Sequence, residues 1–288
     1  MNRDYINSGS GPTGEAYPAT VSDYALDKYD VTVGRFRQFV SAWNGGWTPP
    51  QGSGKHTHLN GGQGLANVAT AGAYETGWDP ADNASVAPTD ANLSDGVCDP
   101  GMNPGMAAWT STPGSNERLP INCVNWYEAY AFCIWDGGFL PSSAEWELAA
   151  AGGAGQREYP WGATDPGFDD QYAIYDCAYP DGGVPDGGFT CSSTSNIAPV
   201  GSAPLGAGLW QQLDLAGNVH EPNLDWGDSP TTYVTPCVDC ADLTPAGFHV
   251  ATGGSWVVNV GALVTTYRAF YAPASRDMKG GIRCARAP

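Results

Sequence analysis

Glycine and proline interrupt this chain so often that no long regular element can run through most of it. The 288 residues include 39 Gly and 23 Pro; Gly adopts backbone angles that end helices and kink strands, and Pro removes a backbone donor. The expected product is a loop-rich globule in which short helices and strands are held by side-chain packing rather than by long ladders. Charged residues make up only 15%, too few for a solvated disordered chain, and 11 Trp with 14 Tyr supply large apolar faces with polar tips. One domain over residues 1–288, built around one sizeable core, is expected at this length.

Eight Cys are scattered through the turn-rich sequence. Their even number fits disulfides formed in an oxidising compartment, hence an extracellular, periplasmic or envelope-surface location. The start, Met1-Asn-Arg-Asp4, has no signal-peptide core, so a leader is expected to have been removed. No apolar run reaches the roughly 18 residues needed to span a bilayer. The net charge of -18 would repel a phosphate backbone, which excludes nucleic acid as an expected partner. It suits a cation-rich medium, bound Ca²⁺ or simple solubility.

Three helices carry sequence signals. Thr32 can cap residues 33–43, where Phe36, Phe39, Val40 and Trp43 fall on one face. Asn125 can cap 126–135, stopped by Gly137-Gly138, and Ser142 with Glu145 has capping-box spacing ahead of 146–151. Strands are expected over 24–29, 250–252, 265–271 and 281–284, and the first 23 residues read as polar turns. Residues 44–118 form a long irregular insertion able to carry specificity. Within it His56 and His58 have a metal-compatible spacing, but without a matched carboxylate nearby they read as exposed loop residues. The segment 152–212 returns to turns, where a Cys177–Cys191 bridge would staple a loop with few apolar anchors. The balance is α+β, with no solenoid or propeller period.

Several blocks in order resemble the formylglycine-generating enzyme (sulfatase-modifying factor) family. They are Leu26-Asp-Lys-Tyr-Asp-Val-Thr32, Leu119-Pro-Ile-Asn-Cys-Val-Asn-Trp126 leading through Phe139-Leu-Pro-Ser-Ser-Ala-Glu-Trp-Glu147 to Tyr159-Pro-Trp-Gly162, and Leu213-Asp-Leu-Ala-Gly-Asn-Val-His-Glu221. Gly253-Gly-Ser-Trp256, Tyr267-Arg268 and Gly281-Ile-Arg-Cys-Ala285 complete the set. The resemblance covers about residues 24–286 and implies an elaborated variant of the C-type lectin fold, with a further strand before Met1. It implies a Cys133–Cys284 bridge; Cys98 with Cys123 and Cys177 with Cys191 are the remaining candidates among the roughly one hundred connectivities that eight cysteines allow. It also implies a calcium loop in which the Asp214 and Glu221 carboxylates and the Gly217 and Val219 carbonyls hold the ion, and a second calcium site somewhere in 172–190. Hard oxygen donors in a tight turn suit Ca²⁺.

The resemblance breaks where the family's oxidase does its chemistry. That enzyme oxidises a cysteine to formylglycine on copper held by two cysteines shortly after Gly-Gly-Ser, and soft thiolates are what Cu(I) requires. Here Val258 and Leu263 stand about where those ligands should be, and no cysteine follows Ser255 before Cys284. Copper is therefore not expected. Cys237-Val-Asp-Cys240 precedes the motif and reads as a structural loop disulfide. His220-Glu221-Pro222 replaces the family's usual Trp-Glu-Trp beside the substrate groove. The resulting expectation is an accessory module that binds a peptide, glycan or envelope protein through His220, Ser255, Trp256 and Arg268. Two rivals stay open: a copper or non-haem iron oxidase acting on a cysteine or thiol, with ligands recruited from Cys237 and Cys240 or from His220 joined by His56, His58 or His249, and a diversified lectin-like ligand-binding protein.

Overall fold

The computed structural model describes residues 1–94, 97–98, 105–182, 191, 193–228, 233 and 235–288. In chain order its strands and helices are β1 (Asn2–Ile6), β2 (Thr13–Thr20), β3 (Ala25–Leu26), α1 (Val33–Asn44), β4 (Ala66–Asn67), β5 (Ala73–Tyr74), α2 (Trp126–Trp135), α3 (Ser143–Ala151), β6 (Glu221–Trp226), β7 (Cys237–Val238), β8 (Cys240–Ala241), β9 (His249–Thr252), β10 (Ala269–Tyr271) and β11 (Ala285–Arg286). The result is a loop-rich mixed α and β structure.

Each helix starts where its cap dictates. The Thr32 hydroxyl accepts from the Arg35 N–H, and α1 buries Val33, Phe36, Phe39 and Val40. Asn125 with Glu128, and Ser142 with Glu145, close reciprocal capping boxes on α2 and α3. Gly152, in the left-handed region, ends α3. Phe36 and Phe39 pack on Phe132 of α2 at 5.8 Å between ring centres, forming the aromatic heart of the largest core. Cys133 on α2 is bonded to Cys284, which ties the helix pair to the end of the chain.

Four small sheets surround this core: β1-β2-β7, β10-β9-β6, β11-β3 and β5-β4-β8. The strands expected over 24–29, 265–271 and 281–284 are present only as two- or three-residue pieces, β3, β10 and, displaced, β11. The expectation of polar turns before residue 24 is overturned by the β1–β2 hairpin, where Asn2 pairs with Pro18 and Asp4 with Ala16. The insertion is likewise not free of structure. Its β4 pairs in parallel with β8, Ala66 opposite Cys240, which fastens it to the C-terminal half.

Candidate functional site

The segment 214–220 is a tight turn leading into β6. Asp214, Gly217 and Asn218 all have positive φ, of 63°, 83° and 60°. A Cβ on Gly217 would sit 2.3 Å from the Ile174 carbonyl oxygen, so only glycine fits there. The turn delivers Glu221 into the interior, where its Oε2 accepts from Trp146 Nε1 at 2.5 Å and Arg283 Nε at 2.7 Å. Its Oε1 is buried with no hydrogen-bond partner. Arg283 also donates to Asp30 Oδ1 at 3.1 Å and to the Leu213 carbonyl at 2.8 Å. Asp214 uses both carboxylate oxygens on the Gly201 N–H, at 3.0 and 2.8 Å.

Three carboxylates thus surround one guanidinium. Burial pushes Asp214 up to about 6, against the pull of Arg283 and the Gly201 bond, with Glu221 adding to the rise. Burial also raises Asp30 well above the usual carboxylate range, Arg283 opposing. The four expected calcium donors fall within residues 214–221, but Asp214 is turned to the Gly201 N–H and Glu221 Oε2 is taken by Trp146 and Arg283, so the buried, unpartnered Glu221 Oε1 is the donor open to a hard cation. Part of the second calcium segment, 183–190, lies outside the described residues.

The next residue back, His220, is locked by its backbone: its N–H donates to Lys279 O at 2.6 Å and its carbonyl accepts from Gly281 at 2.8 Å. Its Nδ1 lies 2.6 Å from the Tyr271 hydroxyl. Tyr271 on β10 faces His249 on β9 in register. The His249 ring stacks on Trp126 at 3.8 Å and meets Trp226 at 3.7 Å with a 34° tilt, and its Nδ1–H donates to the Asp225 carbonyl at 3.2 Å. Burial, reinforced by Lys279 in the first case, holds His220 and His249 each down at about 3, so both rings are neutral at physiological pH. Neither Nε2 has a hydrogen-bond partner. The two histidines line one inner cavity of ≈ 30 Å³, with room for about two waters.

Outside this cavity lies an open groove of ≈ 640 Å³, lined by His220, Tyr267, Arg268, Phe270, Tyr271 and Lys279 among others. The Arg268 guanidinium sits 4.4 Å over the Tyr233 ring and 5.7 Å from that of Phe270, which fixes it in place. His220 and Arg268, 2% and 7% exposed, both line this groove. Ser255 and Trp256 do not: both are 0% exposed, and Trp256 donates inward to the Met278 carbonyl. Neither belongs to the groove's lining, so they stand as buried residues rather than ligand contacts. Val258 lines the groove and Leu263 is buried. The glycines before Ser255 are forced by close approach, since a Cβ on Gly254 would lie 2.7 Å from the Ala262 carbonyl oxygen.

All eight cysteines are described, and they pair as 98–123, 133–284, 177–191 and 237–240, leaving no free thiol. Cys237 and Cys240 sit on β7 and β8, so their bridge closes the turn that joins two sheets. Among the described residues no three His, Cys, Asp or Glu side chains converge as a metal-holding group, so His220 and His249 lack a third partner of that kind. His56 is far from the exposed loop residue expected. It is fully buried, with Nδ1 3.0 Å from Glu75 and Nε2 3.1 Å from Glu145. Sequence reasoning missed this ion triad and also His249 as a cavity wall, since both depend on partners far away in the chain.

Residues 7–288 match the sulfatase-modifying factor enzyme 1-like domain of the FGE-sulfatase family. The chain belongs to the formylglycine-generating family. It is 30% identical to the formylglycine-generating enzyme of Streptomyces coelicolor, over 94% of this chain and 83% of that one. It is 34% identical to the inactive Cα-formylglycine-generating enzyme 2 of Mus musculus, over 60% of this chain and 52% of that protein. PvdO from Pseudomonas aeruginosa superposes with a TM-score of 0.58 at 18% identity, covering 100% of this chain and 91% of the other, a likeness of fold alone. Among the described residues of this family member, no helix is long and apolar enough to cross a membrane.

Proposed function

We propose that this chain is a calcium-stabilised binding or accessory member of its family rather than a copper oxidase. One observation carries the reading: every cysteine is committed to a disulfide, while Val258 and Leu263 occupy the region where the family's thiolate pair is expected. Aliphatic side chains offer no donor to Cu(I). The relative named inactive is consistent with a family in which the fold outlives the reaction.

The groove supplies the binding chemistry. Tyr267, Phe270 and Tyr271 present half-buried rings beside Arg268 and Lys279, a combination that stacks on apolar or sugar faces and pairs with acidic groups. A peptide or glycan of an exported or envelope-bound partner is the ligand class that fits, in the oxidising compartment that four disulfides favour. Calcium would be held by Asp214, Glu221 and the Gly217 and Val219 carbonyls. When bound it neutralises surplus charge and fixes the turn from which His220 projects. The chain's own part is to keep His220 neutral, to aim Arg268 by stacking it on Tyr233, and to seat both against β10.

Native thiol titration and a peptide and glycan array test this together. The expected result is no titratable thiol without reductant, and array hits weakened at least tenfold by Phe270→Ala or Lys279→Ala. Two reactive thiols in the native protein, or hits indifferent to both substitutions, would contradict it.

A further inference from the structure

The insertion helps to build a second recess, which shares Trp126 with the cavity beside His220. Its volume is ≈ 420 Å³, and its walls are the segment around β5, the first turn of α2 and the edge formed by Leu224 and Trp226. Five of its lining residues are aromatic: Tyr74, Trp126, Tyr127, Tyr130 and Trp226. The Trp126 and Tyr127 rings are 5.4 Å apart and inclined at 84°, so they meet as a corner rather than a flat platform. Trp226 stands 6.4 Å from Trp126.

The charged lining is all acidic: Glu75, Asp79 and Asp82. Glu75 is already matched by buried His56. Among the described residues neither Asp79 nor Asp82 has an ion-pair partner; Asp79 spends one oxygen on the Ala81 N–H at 2.9 Å. Burial, and then the neighbouring Asp79 charge, raises the proton affinity of Asp82. Lys55 packs its stem near Gly77 but is not part of the lining. The positive end of α2 also borders the recess, worth about half a unit charge. Glu128 and Asn125 cap it, and two carboxylates outweigh it.

Aromatic faces and carboxylates attract the same kind of group. A ring quadrupole favours a cation within about 6 Å of its centre, with roughly 0.5–2 kcal/mol per contact. A neutral sugar can stack on one ring and donate hydroxyls to a carboxylate, but only a cation gains from both the ring quadrupoles and the net negative charge of the lining. We propose that this recess binds an organic ammonium cation, with Trp126, Tyr127 and Trp226 as its aromatic walls and Asp79 and Asp82 as its counter-charges. The site is separate from the His220 groove and does not depend on the function assigned to that groove.

The test uses the full disulfide-bonded chain at fixed ionic strength, followed by tryptophan fluorescence and calorimetry. The probes are choline, its uncharged carbon isostere 3,3-dimethyl-1-butanol, Nα-acetyl-lysine amide and methyl glucoside. Saturable binding of choline or of the lysine amide, at least tenfold tighter than the isostere and the glucoside, is the expected result. Choline alone indicates a free small cation, and the lysine amide alone indicates a partner's side chain. The double variant Asp79→Asn/Asp82→Asn should weaken that binding at least tenfold with an unchanged melting midpoint, because asparagine preserves the cap that Asp79 provides. Tyr127→Leu should do the same without altering charge. Equal binding of the isostere or the glucoside, no binding of either cation, or full affinity in the double variant would overturn the proposal.

Discussion

Replacing His56 with glutamine removes the positive charge held between Glu75 and Glu145 and leaves their carboxylates facing each other in the interior. Burial alone would depress the proton affinity of His56, but the charges and hydrogen bonds of Glu145 and Glu75 outweigh it and push the value up to about 10, from an ordinary 6.5. At about 1.4 kcal/mol per unit, that difference corresponds to about 5 kcal/mol as an upper bound. Breaking a buried ion pair by deleting one partner costs about 3–5 kcal/mol. Glutamine can still donate one hydrogen bond, so about 3 kcal/mol is expected from His56→Gln. The folded chain holds this proton more tightly than the unfolded chain does. The stabilisation is therefore complete below about pH 6.5 and is lost as pH rises through about 10. Urea denaturation followed by tryptophan fluorescence between pH 6 and 10 reads both effects, the parent losing stability across that window and the variant losing less. A variant within about 1 kcal/mol of the parent at pH 6.5, with a parallel pH dependence, would refute the triad.

Glu147 provides a second pH signature: burial, opposed by Arg268 and Arg3, pushes it up to about 8, and neither of its oxygens has a hydrogen-bond partner. The folded state prefers this carboxyl protonated, so stability should fall as pH rises from about 4.5 to 8, and Glu147→Gln should flatten that fall in a urea denaturation series extended down to pH 4. Removing calcium with a chelator should lower the melting midpoint by roughly 5 °C if the ion is present at about a hundredfold over its Kd. Asp214→Ala should lose the response, and a midpoint indifferent to both would remove the ion from the account. Replacing Cys133 and Cys284 together opens a loop of 151 residues of separation and should cost about 5 kcal/mol on chain entropy, read as a lower urea midpoint.

What could be read from the sequence is what depends on near neighbours. Asn125 with Glu128 and Ser142 with Glu145 are local caps, and the Phe36–Phe39–Val40 face is a local periodicity, so those helices lie where their residues say. The ordered motifs carried the fold and placed the 214–221 turn. The β1–β2 hairpin was not legible because few of its side chains are buried and a Gly-rich turn joins its strands. Strand β6 was hidden by Pro222 and by burying polar Glu221, Asn223 and Asp225. His56 looked solvent-facing because its partners are 19 and 89 residues away. Ser255 and Trp256 follow a pair of glycines that read as an open turn, yet close backbone packing turns them inward. Burial set by distant segments has no local signature.

Val258 and Leu263 offer no sulfur to a copper ion, and a Cu(I) titration reads that loss. The purified, disulfide-bonded protein is titrated with Cu(I) against a chromophoric chelator, then incubated with oxygen, a thiol reductant and a sulfatase-derived cysteine peptide, and the peptide is weighed by mass spectrometry. No stoichiometric copper uptake and an unchanged peptide cysteine are expected. One tightly held copper per chain together with conversion of that cysteine to an aldehyde would contradict that expectation.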